Sequence, residues 1–248
     1  MSKSRTRSRR NGNGAAAERR VLWTMLMERN ISAQAVTAAL RIAGRCGRRG
    51  YAFLALPYTR TDDARNTACL ALARMMERGG SDRDTLVMLD CDHVHPVDVV
   101  ERLVAHDVGV VGALYFRRSH PHDAMAFFRG EDGELHTPME WDADAGLTPC
   151  AMVGTAAIAI QAWVFKRLIA AGYRWPWFRY CYAEDGIIQP TEDIYFGRIC
   201  ELAGIPHHVD FSLMTPHLTT SVVDTSVFER YRGESGAPVG VSLEVERC

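Results

Sequence analysis

From residue 51 onward the chain alternates short apolar runs with stretches in which apolar side chains recur every three or four residues, as strands interleaved with helices do. Tyr51-Ala52-Phe53-Leu54-Ala55-Leu56 reads as a strand stopped by Pro57, and the helix predicted over 62–78 ends at Gly79-Gly80. Thr85-Leu86-Val87-Met88-Leu89 reads as a buried strand, and a helix over 96–105 with Pro96 near its start leads to a strand over 109–113. Further on, 125–128 reads as a short strand, 130–150 as a surface excursion and 154–160 as an apolar strand. Helices are predicted over 162–171 and 191–203, a loop over 183–190, and a last core strand over 207–211. Ahead of residue 51, the segments 18–28 (Val21, Leu22, Met25, Leu26) and 32–44 (Val36, Leu40, Ile42) show helical spacing, broken at Asn30 and Gly47. The pattern predicts an α/β fold, a Rossmann-like, mainly parallel mixed sheet flanked by helices. The expected organisation is a basic arm over 1–17, a helical N-terminal extension over 18–50, a catalytic domain over 51–232 and a peripheral tail over 233–248.

Charge divides the chain more sharply than its net value of -1 suggests: residues 1–50 hold twelve Lys and Arg against two Glu, and the remainder seventeen against twenty-eight Asp and Glu. The front is read as a solvated, disordered arm, or as an electrostatic attachment to nucleic acid or to an anionic membrane surface. No run approaches the roughly 20 apolar residues that span a bilayer, so no transmembrane segment is expected. Seven scattered cysteines without a CxxC pair fit reduced thiols in a cytoplasm and make a zinc cluster unexpected.

The candidate chemistry lies where apolar runs end. Asp90 and Asp92 follow a buried strand, and the carboxyl ends of strands in an open α/β sheet face the ligand crevice. Their spacing lets them share a hard cation and the phosphate oxygens it holds, Mg²⁺ or Mn²⁺, with a histidine ligand favouring Mn²⁺. In Thr191-Glu192-Asp193 the threonine can cap a helix whose first turn carries two acids; the helix dipole alone favours them there, and such a carboxylate is also placed for general-base work. His217, after the last core strand, is a candidate third metal ligand. Arg65 offers a fork for phosphate or a base edge and Asn66 can read a base or ribose, although both also fit an ordinary helix start. The aromatic stretch 173–182, with Trp177 at its centre, suits sugar stacking or core packing.

Taken in order, these segments resemble glycosyltransferases of the glycosyltransferase A fold, close to family 2 and to compact bacterial and phage members. The matching pieces are the strand with Pro57, Ala64-Arg65-Asn66, Leu89-Asp90-Cys91-Asp92, Val111-Gly112-Ala113-Leu114-Tyr115-Phe116-Arg117-Arg118, Gly154-Thr155, Val164-Phe165, Thr191-Glu192-Asp193 with Phe196, Arg198 and Gly204, then Asp210 and His217, covering roughly 51–228. The resemblance implies a nucleoside-diphosphate sugar donor, with a divalent metal at Asp92 and His217 and with Asp90 in the metal shell or nearer the ribose. It implies donor contacts from Pro57, Thr59, Arg65, Asn66, Gly154 and Thr155, and acceptor or phosphate contacts from Arg117, Arg118 and Trp177. Asp193 looks like the base of inverting members, and Glu192 like the residue that places the acceptor or holds the local geometry. Two departures stand out: the first predicted strand lies some fifty residues into the chain, and only one helix separates it from the Asp90-Cys91-Asp92 strand.

The expected activity is transfer of one sugar, a hexose by the resemblance, to a hydroxyl acceptor. Hydroxymethylated bases in phage DNA, reached through the basic arm, are one acceptor class; a polysaccharide, lipid or protein is another. A metal-dependent nucleotidyltransferase and a non-catalytic nucleotide- or nucleic-acid-binding module are the competing readings, and the sequence sets no oligomeric state.

Overall fold

The computed structural model describes residues 19–27, 30–182, 190–219 and 222–235. The expected basic arm over 1–17, most of the loop over 183–190 and most of the tail over 233–248 lie outside them. The first half is a β-α-β-α-β series: β1 (Val21–Leu26), α1 (Ala33–Arg48), β2 (Ala52–Phe53), α2 (Thr61–Glu77) and β3 (Thr85–Asp90). After α3 (Val99–Ala105) and β4 (Val110–Leu114) come the short strands β5 (Ala126–Arg129), β6 (Leu135–His136), β7 (Leu147–Cys150) and β8 (Met152–Val153). The chain closes with β9 (Ala157–Gln161), α4 (Ala162–Ala170), α5 (Glu192–Leu202), β10 (His207–Met214), β11 (His217–Leu218), β12 (Val222–Val223) and α6 (Thr225–Ser235).

Seven strands form one mixed sheet in the order β2-β1-β3-β9-β4-β10-β7, in which β1, β2, β3, β4 and β10 run one way and β9 and β7 run against them. Helices cover both faces. On β3, Leu86 and Met88 pack with Leu72 of α2, Phe165 of α4 and Phe196 of α5, whereas Val87 and Leu89 pack with Ile42 of α1 and Leu103 of α3. This alternation is what the period of two in an extended strand requires when both faces are buried. The fold is thus mixed α/β, a seven-stranded sheet flanked by helices and compatible with a Rossmann-like arrangement.

Three expectations fail. Segment 18–28 was expected to be helical, yet Val21–Leu26 is a strand paired along its whole length with β3, from Val21 opposite Thr85 to Leu26 opposite Asp90. Its apolar residues fit either period, and burial decides. All six side chains are buried, including Trp23 and Thr24, as a strand inside a parallel sheet demands and a one-faced helix does not. The run 51–56, read as the first strand, contributes only the exposed edge pair Ala52–Phe53. The first strand thus begins at Val21, and two helices rather than one precede β3. Finally, 130–150 is not wholly a surface excursion, because β7 closes the far edge of the sheet against β10.

The direction of the strands gathers the chemistry at one end. Carboxyl ends of β1, β3, β4 and β10 and the start of β9 all open on the same side, so Asp90, Arg118, Thr155 and His217 belong to one crevice.

Candidate functional site

The turn after β3 is clamped to the turn after β10 by backbone hydrogen bonds: Val94 N–H donates to the Pro216 carbonyl at 2.9 Å and Leu218 N–H to the Asp92 carbonyl at 2.8 Å. His93 and His217 consequently face each other across an antiparallel bridge with rings stacked at 4.1 Å. The Asp92 carboxylate lies between them, with Oδ2 3.1 Å from Nε2 of His217 and Oδ1 3.2 Å from Nδ1 of His93. Nδ1 of His217 is 3.0 Å from the Phe116 carbonyl and donates to it, which turns Nε2 towards Asp92. Burial alone would raise the Asp92 carboxyl, but contacts with His217, His93 and Arg118 outweigh it and hold the group down at about 2. His93 is driven well below its ordinary value by burial first and by His95 next, so it stays neutral.

The donor atoms of Asp92, His93 and His217 lie within 4.8 Å of one another, and they form an ionised carboxylate with two imidazoles. Such a set fits a divalent cation, and the Phe116 carbonyl that accepts from His217 Nδ1 is the support that a metal-bound histidine usually has. Arg118, half-exposed, sits 3.2 Å from the Asp92 Oδ2 atom.

Beneath this group Arg65, 3% exposed, organises the floor. Nη2 donates to both Asp90 oxygens at 2.9 and 3.0 Å, Nη1 to the Thr155 carbonyl at 3.2 Å, and Nε to Glu192 at 3.4 Å. Burial pushes Asp90 up to about 7 against the pull of Arg65, with Asp92 and Glu192 adding to the rise. Glu192 is raised likewise by burial, then by Asp193, with Arg65 opposing and the Tyr180 hydroxyl donating to it. The crevice therefore carries more carboxylate than its buried guanidinium neutralises, an imbalance that a bound cation relieves. Asp193, in the first turn of α5, accepts from the Thr191 hydroxyl at 2.5 Å, which orients its carboxylate.

Two clefts flank this group: Asp92 lines the first, and its partners His217 and Arg118 line the second. One, of about 560 Å³, is lined by Leu26, Asn30, Pro57, Thr59, Tyr180 and both Asp90 and Asp92. The other, of about 480 Å³, is lined by Arg117, Arg118, Met125, Glu192, Asp193 and His217.

Several expected contacts lie elsewhere. Asn66 is buried and its side chain is used by the backbone of the aromatic segment: it donates to the Phe178 carbonyl at 2.7 Å and accepts from Trp177 and Phe178 N–H at 2.9 and 3.1 Å. Trp177 packs in the core against Phe165. A Cβ on Gly154 would stand 2.4 Å from the Tyr115 hydroxyl, so its missing side chain makes room for that ring. Thr155 is buried and offers its carbonyl to Arg65, and Arg117 pairs with Asp123 at 3.0 Å. Asp90, expected among the metal ligands, is held bidentately by Arg65 and stands outside the three-residue group. Sequence reasoning passed over His93 as a ligand, although it directly follows the Asp pair. It also passed over Leu26 and Asn30, hidden by reading β1 as a helix.

No family model matches this chain, and no curated protein matches it. One solved structure, titled "Crystal structure of 4-diphosphocytidyl-2C-methyl-D-erythritol synthase", is similar over 62% of this chain and 80% of that one, at 12% identity and a TM-score of 0.32. A likeness that slight bears on neither fold family nor function.

Proposed function

We propose that this protein is a metal-dependent, inverting glycosyltransferase of the glycosyltransferase A type, which takes a nucleoside-diphosphate sugar in the larger cleft and a hydroxyl acceptor in the smaller one. The observation that carries the reading is that Asp92 lines one cleft while its partners His217 and Arg118 line the next, which also holds the oriented carboxylate of Asp193. Pro57, Thr59 and the end of β1 shape the donor side, where Tyr180 also closes the wall. Mn²⁺ or Mg²⁺ held by Asp92 and His217, with His93 beside them, would supply neutralisation of the charge that builds on the departing nucleoside diphosphate.

The remaining work falls to side chains of this chain. Asp193 takes the proton from the acceptor hydroxyl as the oxygen attacks the anomeric carbon, and attack from the face opposite the leaving group inverts that centre. Glu192, fixed by Arg65 and Tyr180, holds the start of α5 at the cleft. Arg118 offers a guanidinium to a phosphate oxygen beside Asp92.

A second reading is nucleotidyl transfer, because a carboxylate–histidine group with an arginine at 3.2 Å equally suits a nucleoside triphosphate. Products separate the two: sugar transfer releases nucleoside diphosphate, and nucleotidyl transfer releases pyrophosphate. Asp193→Asn, tested with a panel of nucleotide sugars, is expected to lower turnover by about 10²-fold or more while leaving Mn²⁺ affinity nearly unchanged. Unchanged turnover in that variant would rule out the role given to Asp193.

A further inference from the structure

The smaller cleft holds polar groups that the transfer step does not use. Asp123, in the loop that leaves β4, and Thr137, just after β6, both line it together with the start of α5. The loop is tied to itself: Arg117 N–H donates to the Asp123 carbonyl at 2.9 Å, and the Arg117 guanidinium pairs with the Asp123 carboxylate at 3.0 Å. The Tyr231 hydroxyl of α6 also donates to that carboxylate, so Asp123 is fixed and only 4% exposed. A carboxylate accepts about four hydrogen bonds, and Asp123 therefore keeps capacity for a ligand. Thr137 is equally buried, and its hydroxyl has no hydrogen-bond partner among the described residues. A buried hydroxyl left unmade is uncommon and costly, and at the wall of a cleft it points to a ligand.

The chemistry of the walls selects the ligand. Met125, Phe127 and Ile194 give the same cleft an apolar surface. A saccharide matches both features, because its ring C–H faces pack on apolar side chains while its hydroxyls donate to a carboxylate and exchange hydrogen bonds with a threonine. A phosphate-rich acceptor does not match. The cleft carries Asp123, Glu192 and Asp193, and its two arginines are committed, Arg117 to Asp123 and Arg118 to Asp92. An acyl chain leaves Asp123 and Thr137 without a partner. A serine or threonine side chain brings a single hydroxyl, which Asp193 takes, and supplies none to the other two groups.

We propose that the smaller cleft binds a neutral saccharide as acceptor, with Asp123 and Thr137 reading hydroxyls other than the one that Asp193 meets. The acceptor role rests on the transferase reading, whereas saccharide binding itself needs no turnover. The test is saturation-transfer NMR of the full chain with a panel of methyl glycosides, in the presence of Mg²⁺ and nucleoside diphosphate. Acceptor kinetics follow with the same glycosides, a peptide containing serine and threonine, and hydroxymethylated DNA. At least one glycoside is expected to bind, and to bind about tenfold more weakly in Thr137→Val and in Asp123→Asn. Thr137→Ser keeps the hydroxyl and is expected to retain binding. In turnover, Thr137→Val raises the acceptor KM by the same factor with kcat little changed. That variant replaces an unpartnered hydroxyl with a methyl group, so its melting temperature is expected not to fall, which separates lost binding from lost fold. Absence of glycoside binding would overturn the inference. So would binding that Thr137→Val and Asp123→Asn leave intact, or release of nucleoside diphosphate stimulated by the peptide or the DNA and by no glycoside. Glycoside binding that both variants weaken, with no turnover of any nucleotide sugar, would overturn the transferase reading and uphold the saccharide site.

Discussion

Arg65 holds two carboxylates from distant parts of the chain, Asp90 at the end of β3 and Glu192 at the start of α5, and it is itself almost wholly buried. Removing one member of such a group strands the others in a poorly solvated place. Arg65→Leu is therefore expected to cost about 3–5 kcal/mol in urea unfolding, far more than a change at the exposed Arg60, and a loss below about 1 kcal/mol would contradict the arrangement. A second residue-scale prediction concerns His207, which is buried with neither ring nitrogen hydrogen-bonded. Burial first, and His208 next, push it down from 6.5 to about 3. In the unfolded chain it takes a proton near 6.5, whereas the folded chain refuses one until about pH 3. Protons thus favour unfolding across that window: the contribution is complete above 6.5 and is lost as pH falls, amounting to about 2 kcal/mol by pH 5. His207→Phe, beside Phe196, should flatten that part of the stability–pH curve; an unchanged slope between pH 7 and 5 would contradict the burial argument. At this scale the sequence was informative where chemistry is local. Asp92 and His217 were legible because a carboxylate after a buried strand and a histidine after the last strand both return to the same sheet end. Asn66 was misjudged because a polar side chain at a helix start looks the same whether it serves a ligand or, as here, the backbone of a segment 111 residues away, whereas of the two uses read for Trp177 the structure shows core packing.

Among elements, β1 decides how much of the chain the fold needs. Its six buried residues pair in register with β3, and Thr24 donates to the Leu54 carbonyl at 2.8 Å, tying in the short edge strand. Deleting residues 1–50 is expected to abolish cooperative thermal unfolding, while deleting 1–17 leaves it. A stable, cooperatively folded 51–248 fragment would contradict the place of β1 in the sheet. Most helices and strands were legible within a few residues, because β3 and β4 are short apolar runs set between helical segments and α2, α4 and α5 carry helix start or stop signals at their ends. β1 was not, since an apolar run broken only by Thr24 satisfies the helical and extended periods alike, and only its neighbours settle which one wins. β7 was hidden for a different reason: its pairing with β10 joins residues some sixty apart, and Pro149 within it is tolerated because it forms the sheet edge. Glycine adds one more test at this scale. Gly112 of β4 has Val153 so close that an added Cβ would stand 2.6 Å away, so Gly112→Ala should lower the melting temperature by several degrees, and no change would mean that β8 is not packed as described.

For the whole molecule, strand direction and charge are both distributed unevenly. Five strands pointing one way place the Asp92, His93 and His217 group, the Arg65 floor and both clefts at one end of the sheet. The basic charge is concentrated in the first fifty residues, while the acidic excess lies in the remainder. Among the described residues no helix is long and apolar enough to cross a membrane. The central claim is that the two clefts serve donor and acceptor on either side of a cation at Asp92. Its most direct test is product analysis with a panel of nucleotide sugars and Mn²⁺ or Mg²⁺, beside Asp92→Ala and metal-free controls. The account predicts metal-dependent release of nucleoside diphosphate from one class of donor, absent in both controls. Release of pyrophosphate from nucleoside triphosphates, or turnover that survives Asp92→Ala, would contradict it.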